Sequence, residues 1–240
     1  MTQLDGFLLV DKPAGLSSFA VVAKVRGIWR AELRRRNMPL RQAKVGHSGT
    51  LDPFATGLLI LVLGGYTKRA AEFSGLDKTY LVGVRLGQTS TTGDPEGEIA
   101  QKSDKKPTEH EIRAVLKGFE GEIMQKPHKY SAVKIGGQRA YKLARAGQEV
   151  ETEPRKVTIY QLQATSYQYP ELCITARVSS GTYIRSLVED IGRRTGSGAY
   201  ATDLRRVRVG PFDAKDAILF SQLDFAALQS ALQTSVAVIE

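Results

Sequence analysis

Apolar and polar positions change their period several times along this chain, and each change predicts an element. Phe7 to Val10 is a short apolar run between Asp5 and Asp11 and predicts a strand. From residue 18 to about 36, Ala20, Val21, Ala23, Val25 and Ile28 supply helix formers and an apolar stripe behind a capping Ser17 or Ser18, and Pro39 stops a helix that reaches it. Residues 46–56 lose the pattern and read as a loop, whereas Leu58 to Leu63 is apolar throughout, as a buried strand is. A short helix over Lys68 to Phe73 precedes an alternating strand over Thr79 to Leu86, and residues 87–97 form a polar, Thr-rich turn region.

Thr108 with Glu111 makes a capping box for a helix through Leu116. Val157 to Tyr167 and Leu172 to Val178 read as a hairpin joined at Tyr169-Pro170, and Tyr183 to Arg194 as a helix ended by Gly196 and Gly198. Strands and helices are mixed without a βαβ rhythm, so the expected class is α+β rather than a doubly wound sheet. No repeat, low-complexity tract or linker divides the chain, which reads as one domain with excursions.

Composition removes several function classes. At 240 residues and 42% hydrophobic the chain can bury an ordinary core. The N-terminus fails as a signal peptide and no apolar run nears the roughly 20 residues that span a bilayer, so a soluble cytoplasmic protein is expected. Cys173 is the sole cysteine, which excludes an intramolecular disulfide and a cysteine zinc site; within its strand it is expected as a small buried hydrophobe. With His47, His110 and His128 far apart in sequence, no metal site is expected, and the absence of a P-loop or G-x-G-x-x-G argues against a nucleotide cofactor.

Charge sharpens the picture. Lys and Arg number 34 against 25 Asp and Glu, a formal +9 that favours a polyanionic partner, nucleic acid or an anionic membrane. Residues 21–44 hold eight cations, Lys24, Arg26, Arg30, Arg34, Arg35, Arg36, Arg41 and Lys44, against Glu32 alone, which points to RNA or DNA contact. Residues 125–150 interleave Lys126, Lys129, Lys134, Arg139, Lys142 and Arg145 with Tyr130 and Tyr141, suited to tracking a backbone and stacking on bases. A third cluster, Arg185, Arg193, Arg194, Arg205, Arg206 and Arg208, is partly offset by acids, and residues 209–240 are mildly acidic.

Candidate chemistry gathers in GHSGTLDPFATG, residues 46–57, where Pro53 holds Asp52 out of helical geometry. Such an acid is either a turn cap or a nucleophile or base. In the second role it needs a cation beside it to stay ionised in a dry pocket, and Arg185 in SSGTYIRSLVEDIG is a candidate, with a first-turn surface arginine as its other reading.

The stretches LLVDKPAGLSS, GHSGTLDPFATGLL, DKTYLVGVRLGQ, YSAVKIGGQRAYKLARAG and SSGTYIRSLVEDIGRRTGSGAYATDLRRVRVGPF resemble, in that order, the TruB family of tRNA pseudouridine-55 synthases, over about residues 6 to 212. The resemblance implies a pseudouridine-synthase core, a mixed and mostly antiparallel sheet flanked by helices with a basic RNA-binding cleft. It implies a flipped uridine whose glycosidic bond is broken and remade from N1 to C5 without metal or cofactor. On the family's positions Asp52 is the catalytic aspartate, Arg185 its partner and Tyr80 the tyrosine that stacks on uracil and serves proton transfer. His47 helps displace the base, Lys12 and Pro13 form the Lys-Pro beside the pocket, and Leu204 is its apolar wall; Tyr183 and Lys134 fall in the family's substrate-contacting stretches. The first step is attack by Asp52 on C6, attack on C1′, or removal of a sugar proton.

The resemblance also sets expectations for organisation: a catalytic domain over residues 1–212, a basic insertion at about 29–43, a thumb-like RNA-contacting segment at about 124–152, and a short extension over 213–240 in place of a PUA domain. The partner is the T-stem-loop of tRNA, met by a monomer needing no obligatory protein partner. Two other readings compete: a guide-RNA-dependent synthase, whose GHSGTLDP loop is very similar, and a non-catalytic RNA-binding folding helper.

Overall fold

The computed structural model describes residues 4–131, 133–148, 150 and 152–234, without the side chains of 134, 135, 139, 141, 142 and 145. The chain divides into two compact units, residues 1–78 with 205–240, and residues 79–204.

The first unit begins with β1 (Gly6–Lys12), α1 (Ser18–Arg35), β2 (Val45–His47), β3 (Thr56–Leu63) and the short α2 (Ala70–Ser74). Ser17 caps α1 by accepting from Ala20 N, and the helix ends before Asn37, whose φ is 53°. Its stripe of Val21, Val22, Val25, Trp29 and Leu33 is buried. β1 and β3 pair antiparallel, Val10 opposite Leu59, and every residue from Gly57 to Leu63 is buried. One face of this pair builds the core: Phe7, Leu9, Leu58, Ile60, Val62, Phe73 and Val209, with Phe7 stacked against Phe73 at 5.0 Å and Phe212 at 5.2 Å.

The second unit runs through β4 (Lys78–Leu86, entering from the first unit), β5 (Gln88–Ser90), β6 (Ile99–Gln101), α3 (Glu109–Lys117), β7 (Gly121–Gln125), β8 (Lys134–Ile135), β9 (Gln138–Arg139), α4 (Ala140–Arg145), β10 (Arg155–Gln168), β11 (Glu171–Val178), α5 (Ile184–Thr195) and β12 (Ala199–Val209). Its strand order is β12-β4-β11-β10-β7. The capping box forms, with Thr108 and Glu111 satisfying each other's backbone amides, and Gly196 closes α5 at φ 74°. The last five residues of β12 return the chain to the first unit, followed by β13 (Phe212–Asp213), β14 (Ile218–Leu219) and α6 (Phe225–Ala231), with β14 parallel to β1.

Two expectations change. The predicted loop at 46–56 starts later, because Val45 to His47 pair with β3; three residues with one buried apolar side chain give no alternation to read. Cys173 is exposed rather than buried: Leu172 and Ile174 on either side take the inner face of β11, and the pleat turns Cys173 outward.

Gly57 is demanded by the parallel pairing of β3 with β12. Its φ is 99°, and a Cβ there would lie 2.3 Å from Arg206 O and 2.9 Å from Arg206 N. Gly57→Ala is expected to cost about 3 kcal/mol or more, read as a lowered denaturant midpoint with an unchanged slope; an unshifted midpoint would contradict this packing.

Candidate active site

The loop carrying Asp52 is clamped through its backbone by three side chains of the first unit. Lys12, fully buried, points its ammonium at the carbonyls of Pro13 (2.8 Å), Leu16 (2.7 Å) and Pro53 (3.2 Å). Gly15 N also donates to Pro53 O. Ser18, 2% exposed, donates from Oγ to Leu51 O at 3.0 Å and accepts from Leu51 N at 2.8 Å, which brackets Asp52 between two tied residues. Arg206, 3% exposed, donates to Leu58 O (2.8 Å), Gly49 O (3.2 Å) and Thr50 O (3.4 Å). Buried cations are tolerated here because carbonyl dipoles replace water around them. Asp52 itself is half-buried, and Ala55 N donates to its carbonyl in the turn that Pro53 opens. His47 is half-buried on β2 opposite Leu61, and Pro13 is exposed.

Arg206 also acts on Lys78. Burial, then repulsion by Arg206, lowers the Lys78 ammonium from 10.5 to about 8, against the pull of Asp77, while its Nζ donates to Ser74 O and Leu76 O. Between pH 8 and 10.5 the unfolded chain therefore holds the extra proton, and stability rises with pH across that window. Relative to Lys78→Met, the wild type should gain up to about 3 kcal/mol from pH 8 to 10.5, measured by denaturant unfolding; parallel pH curves would contradict the buried ammonium.

In the second unit, Arg185 opens α5 at 7% exposure. Nη1 donates to Asp94 Oδ2 and to Thr92 O, both at 2.8 Å, and Nη2 to Tyr130 O at 3.0 Å. Asp94, 3% exposed, also accepts through Oδ1 from Thr92 Oγ1 (2.5 Å) and Glu96 N (3.0 Å). The turn before α5 is held by Gln125, whose side chain bonds both backbone groups of Tyr183, at 2.8 and 3.0 Å. Tyr80 (8% exposed) and Leu204 (5%) are buried on β4 and β12. An open depression of about 620 Å³ beside Ser186 is lined by Lys126, His128, Lys129, Thr152, Glu189 and Arg193.

Asp94 and Arg206 went unassigned in the sequence reading. Asp94 carries the same signal as Asp52, an Asp-Pro step in a polar turn, but its buried partner lies 91 residues away. The arginines of the third cluster are all engaged: besides Arg185 and Arg206, Arg205 pairs with Asp11, Arg208 with Asp213 and Arg193 with Asp190, and Arg194 stacks on Phe119 at 3.8 Å. In the segment expected to contact RNA, residues 132, 149 and 151 and the side chains of Lys134, Arg139, Tyr141, Lys142 and Arg145 lie outside the described residues. No helix among the described residues is long and apolar enough to cross a membrane.

Comparison with known proteins defines the class. Residues 35–184 match the TruB family pseudouridylate synthase (N terminal domain), and residues 185–237 the tRNA pseudouridylate synthase B C-terminal domain. Among curated relatives, tRNA pseudouridine synthase B of Pseudomonas fluorescens is 43% identical over 92% of this chain and 69% of its own length. The Burkholderia mallei protein of that name is 44% identical over 93% and 70%, and that of Ruegeria pomeroyi 41% over 99% and 75%. The chain belongs to the TruB family. A chain from the crystal structure of a Cbf5-Nop10-Gar1 complex superposes with a TM-score of 0.70 at 29% identity, covering 95% of this chain; this chain spans 56% of that one.

Proposed function

We propose that the protein isomerises a uridine of tRNA, the T-loop uridine at position 55, to pseudouridine. The observation that carries the reading is the Asp52 loop of a TruB-family chain, fixed by Lys12, Ser18 and Arg206 so that one carboxylate is presented by a rigid backbone. In the reaction the N1–C1′ bond breaks, C5–C1′ forms, C5 loses a proton and N1 gains one. Product and substrate are isomers, so neither an electron carrier nor a group carrier is consumed.

The roles follow from that chemistry. A base in a folded loop must first leave its stack, at a cost of a few kcal/mol; His47 assists that displacement, and phosphate contacts by basic residues offset it. Asp52 is the catalytic acid group, and Arg185 is the cation that holds its charge. Tyr80 lies on the uracil and handles the proton, with Pro13, Tyr183, Leu204 and Lys134 around the substrate, while Lys12, buried on backbone carbonyls, serves the site by holding the Asp52 loop. The buried side chains Tyr80 and Leu204 suit a pocket that excludes water, which would otherwise capture the detached sugar. The enzyme acts alone as a cytoplasmic monomer, with residues 1–212 as its catalytic part and 124–152 as an RNA-contacting thumb.

A second reading is a synthase that needs a guide RNA and partner proteins, and the likeness to a chain solved in complex with Nop10 and Gar1 supports the need for partners. Tritium release from tRNA labelled at uridine C5 separates these, because the C5–H bond must break. Release from bare tRNA by the purified chain is expected; release only with an added guide RNA and partner proteins would favour the second reading, and none under either condition would leave an RNA-binding helper.

A further inference from the structure

We infer that the outward face of α1 and the turn after it, carrying Arg30, Arg34, Arg41 and Lys44, docks the phosphodiester backbone of tRNA through contacts separate from those made to the reacting uridine. The inference rests on the reading that tRNA is the substrate.

Between Asp11 and Asp52 the only acid is Glu32. It does not share the outer face: it is 9% exposed, and Arg35 grips it at 2.7 and 2.8 Å while Arg36 Nε lies at 2.5 Å. Those contacts lower its carboxyl to about 2, so the trio stays ionised and closed at any pH where RNA binding is measured. With the single acid turned inward, Lys24, Arg30, Arg34, Arg41 and Lys44 are all exposed, and none makes an ion pair among the described residues.

Elsewhere among the described residues several cations on or beside helices carry an acid partner. Arg69 pairs with Glu72, Arg113 with Glu109, Lys117 with Glu120 and Arg193 with Asp190. Arg30 and Arg34 instead stand one turn apart with like charge, an arrangement that weakens a helix by itself. The dipole at the helix C-terminus accounts for Arg34 and Arg35 in the last turn but not for Lys24, Arg30, Arg41 or Lys44. A partner with dense negative charge relieves the repulsion, and a guanidinium fork matches phosphate geometry.

The same face chooses between two polyanions. Ala23, Gly27 and Ala31 are exposed between the cations, and no large apolar side chain from residue 20 to 44 is exposed. A helix that lies on a lipid surface needs an apolar face to insert; the stripe of α1 is spent inside the fold, and Phe19, 64% exposed at the first turn beneath Arg26, is a single ring rather than a face. A phosphodiester backbone needs only the cations and close approach.

The test is fluorescence anisotropy with a full-length tRNA transcript over a salt series, comparing wild type with the triple variant Arg30→Gln, Arg34→Gln, Arg41→Gln. The expected result is a Kd raised by about tenfold at low salt and a salt dependence shallower by roughly one for each contact removed. The single-turnover rate at saturating tRNA stays unchanged. A matched triple variant, Arg69→Gln, Arg113→Gln, Arg208→Gln, removes the same charge from ion-paired sites and is expected to keep both wild-type values. Unchanged Kd and slope in the first variant, or equal losses in both, would overturn the inference, as would loss of binding to phosphatidylglycerol vesicles with tRNA binding intact. Pseudouridine formation by the same wild-type preparation shows whether tRNA is the substrate, so a failure of that reading is seen separately.

Discussion

Asp52→Asn is expected to lower pseudouridine formation by about four orders of magnitude or more while leaving tRNA binding and folding nearly intact. The two side chains have almost the same shape, so the change removes a negative charge and little else. The clamps on the loop, from Lys12, Gly15, Ser18 and Arg206, all reach backbone atoms of residues 49–53 and none uses the Asp52 side chain. The variant should therefore unfold within about 1 kcal/mol of wild type and hold tRNA through the same phosphate contacts. Single-turnover kinetics with anisotropy and denaturant unfolding on one preparation check all three. Residual activity within tenfold of wild type would remove Asp52 from the chemistry, and a large loss of stability would recast it as a structural turn residue.

The second large effect is expected at Asp94. Its carboxylate is a buried counter-charge to Arg185, and its removal takes away an ion pair of 2.8 Å from a guanidinium at 7% exposure. Breaking such a pair costs about 3–5 kcal/mol, more than the pair contributes when intact, because an uncompensated charge stays buried. Asp94→Ala should lower stability by that amount and, since Arg185 is proposed to serve Asp52, activity as well. Asp94→Leu combined with Arg185→Met should be less destabilised than the sum of the single changes, yet inactive. Stability and activity thus separate: the double variant regains the first and not the second. Additive stability losses would show that the two side chains do not act as a pair.

Much of the architecture was legible from short-range signals. The Thr108 capping box, the apolar run of β3, the Ser17 cap and stripe of α1 and the glycine stop of α5 each depend on residues within a turn or two, and each is present. What the sequence left unread depends on contacts far along the chain. Arg205 and Arg206 are neighbours of the same type, but the parallel register with β3 sends Arg206 beneath the Asp52 loop and leaves Arg205 to pair with Asp11. Asp94 reads as an ordinary turn acid until Arg185 is placed beside it. Cys173 was misread because a mostly apolar run does not announce which face of the pleat is inside. Charge clusters were equally ambiguous, since the arginines from 185 to 208 are engaged within the protein while Arg30 and Arg34 on α1 face outward, and only the placement of the acids tells the two apart.

Whether this chain makes pseudouridine through Asp52 is decided most directly by site mapping of pseudouridine in an unmodified tRNA transcript incubated with the purified chain alone, with Asp52→Asn beside it. Pseudouridine is expected at the T-loop uridine, position 55, with wild type and none with the variant. Transcript that binds the protein but carries no pseudouridine, or the same product from both proteins, would contradict that expectation.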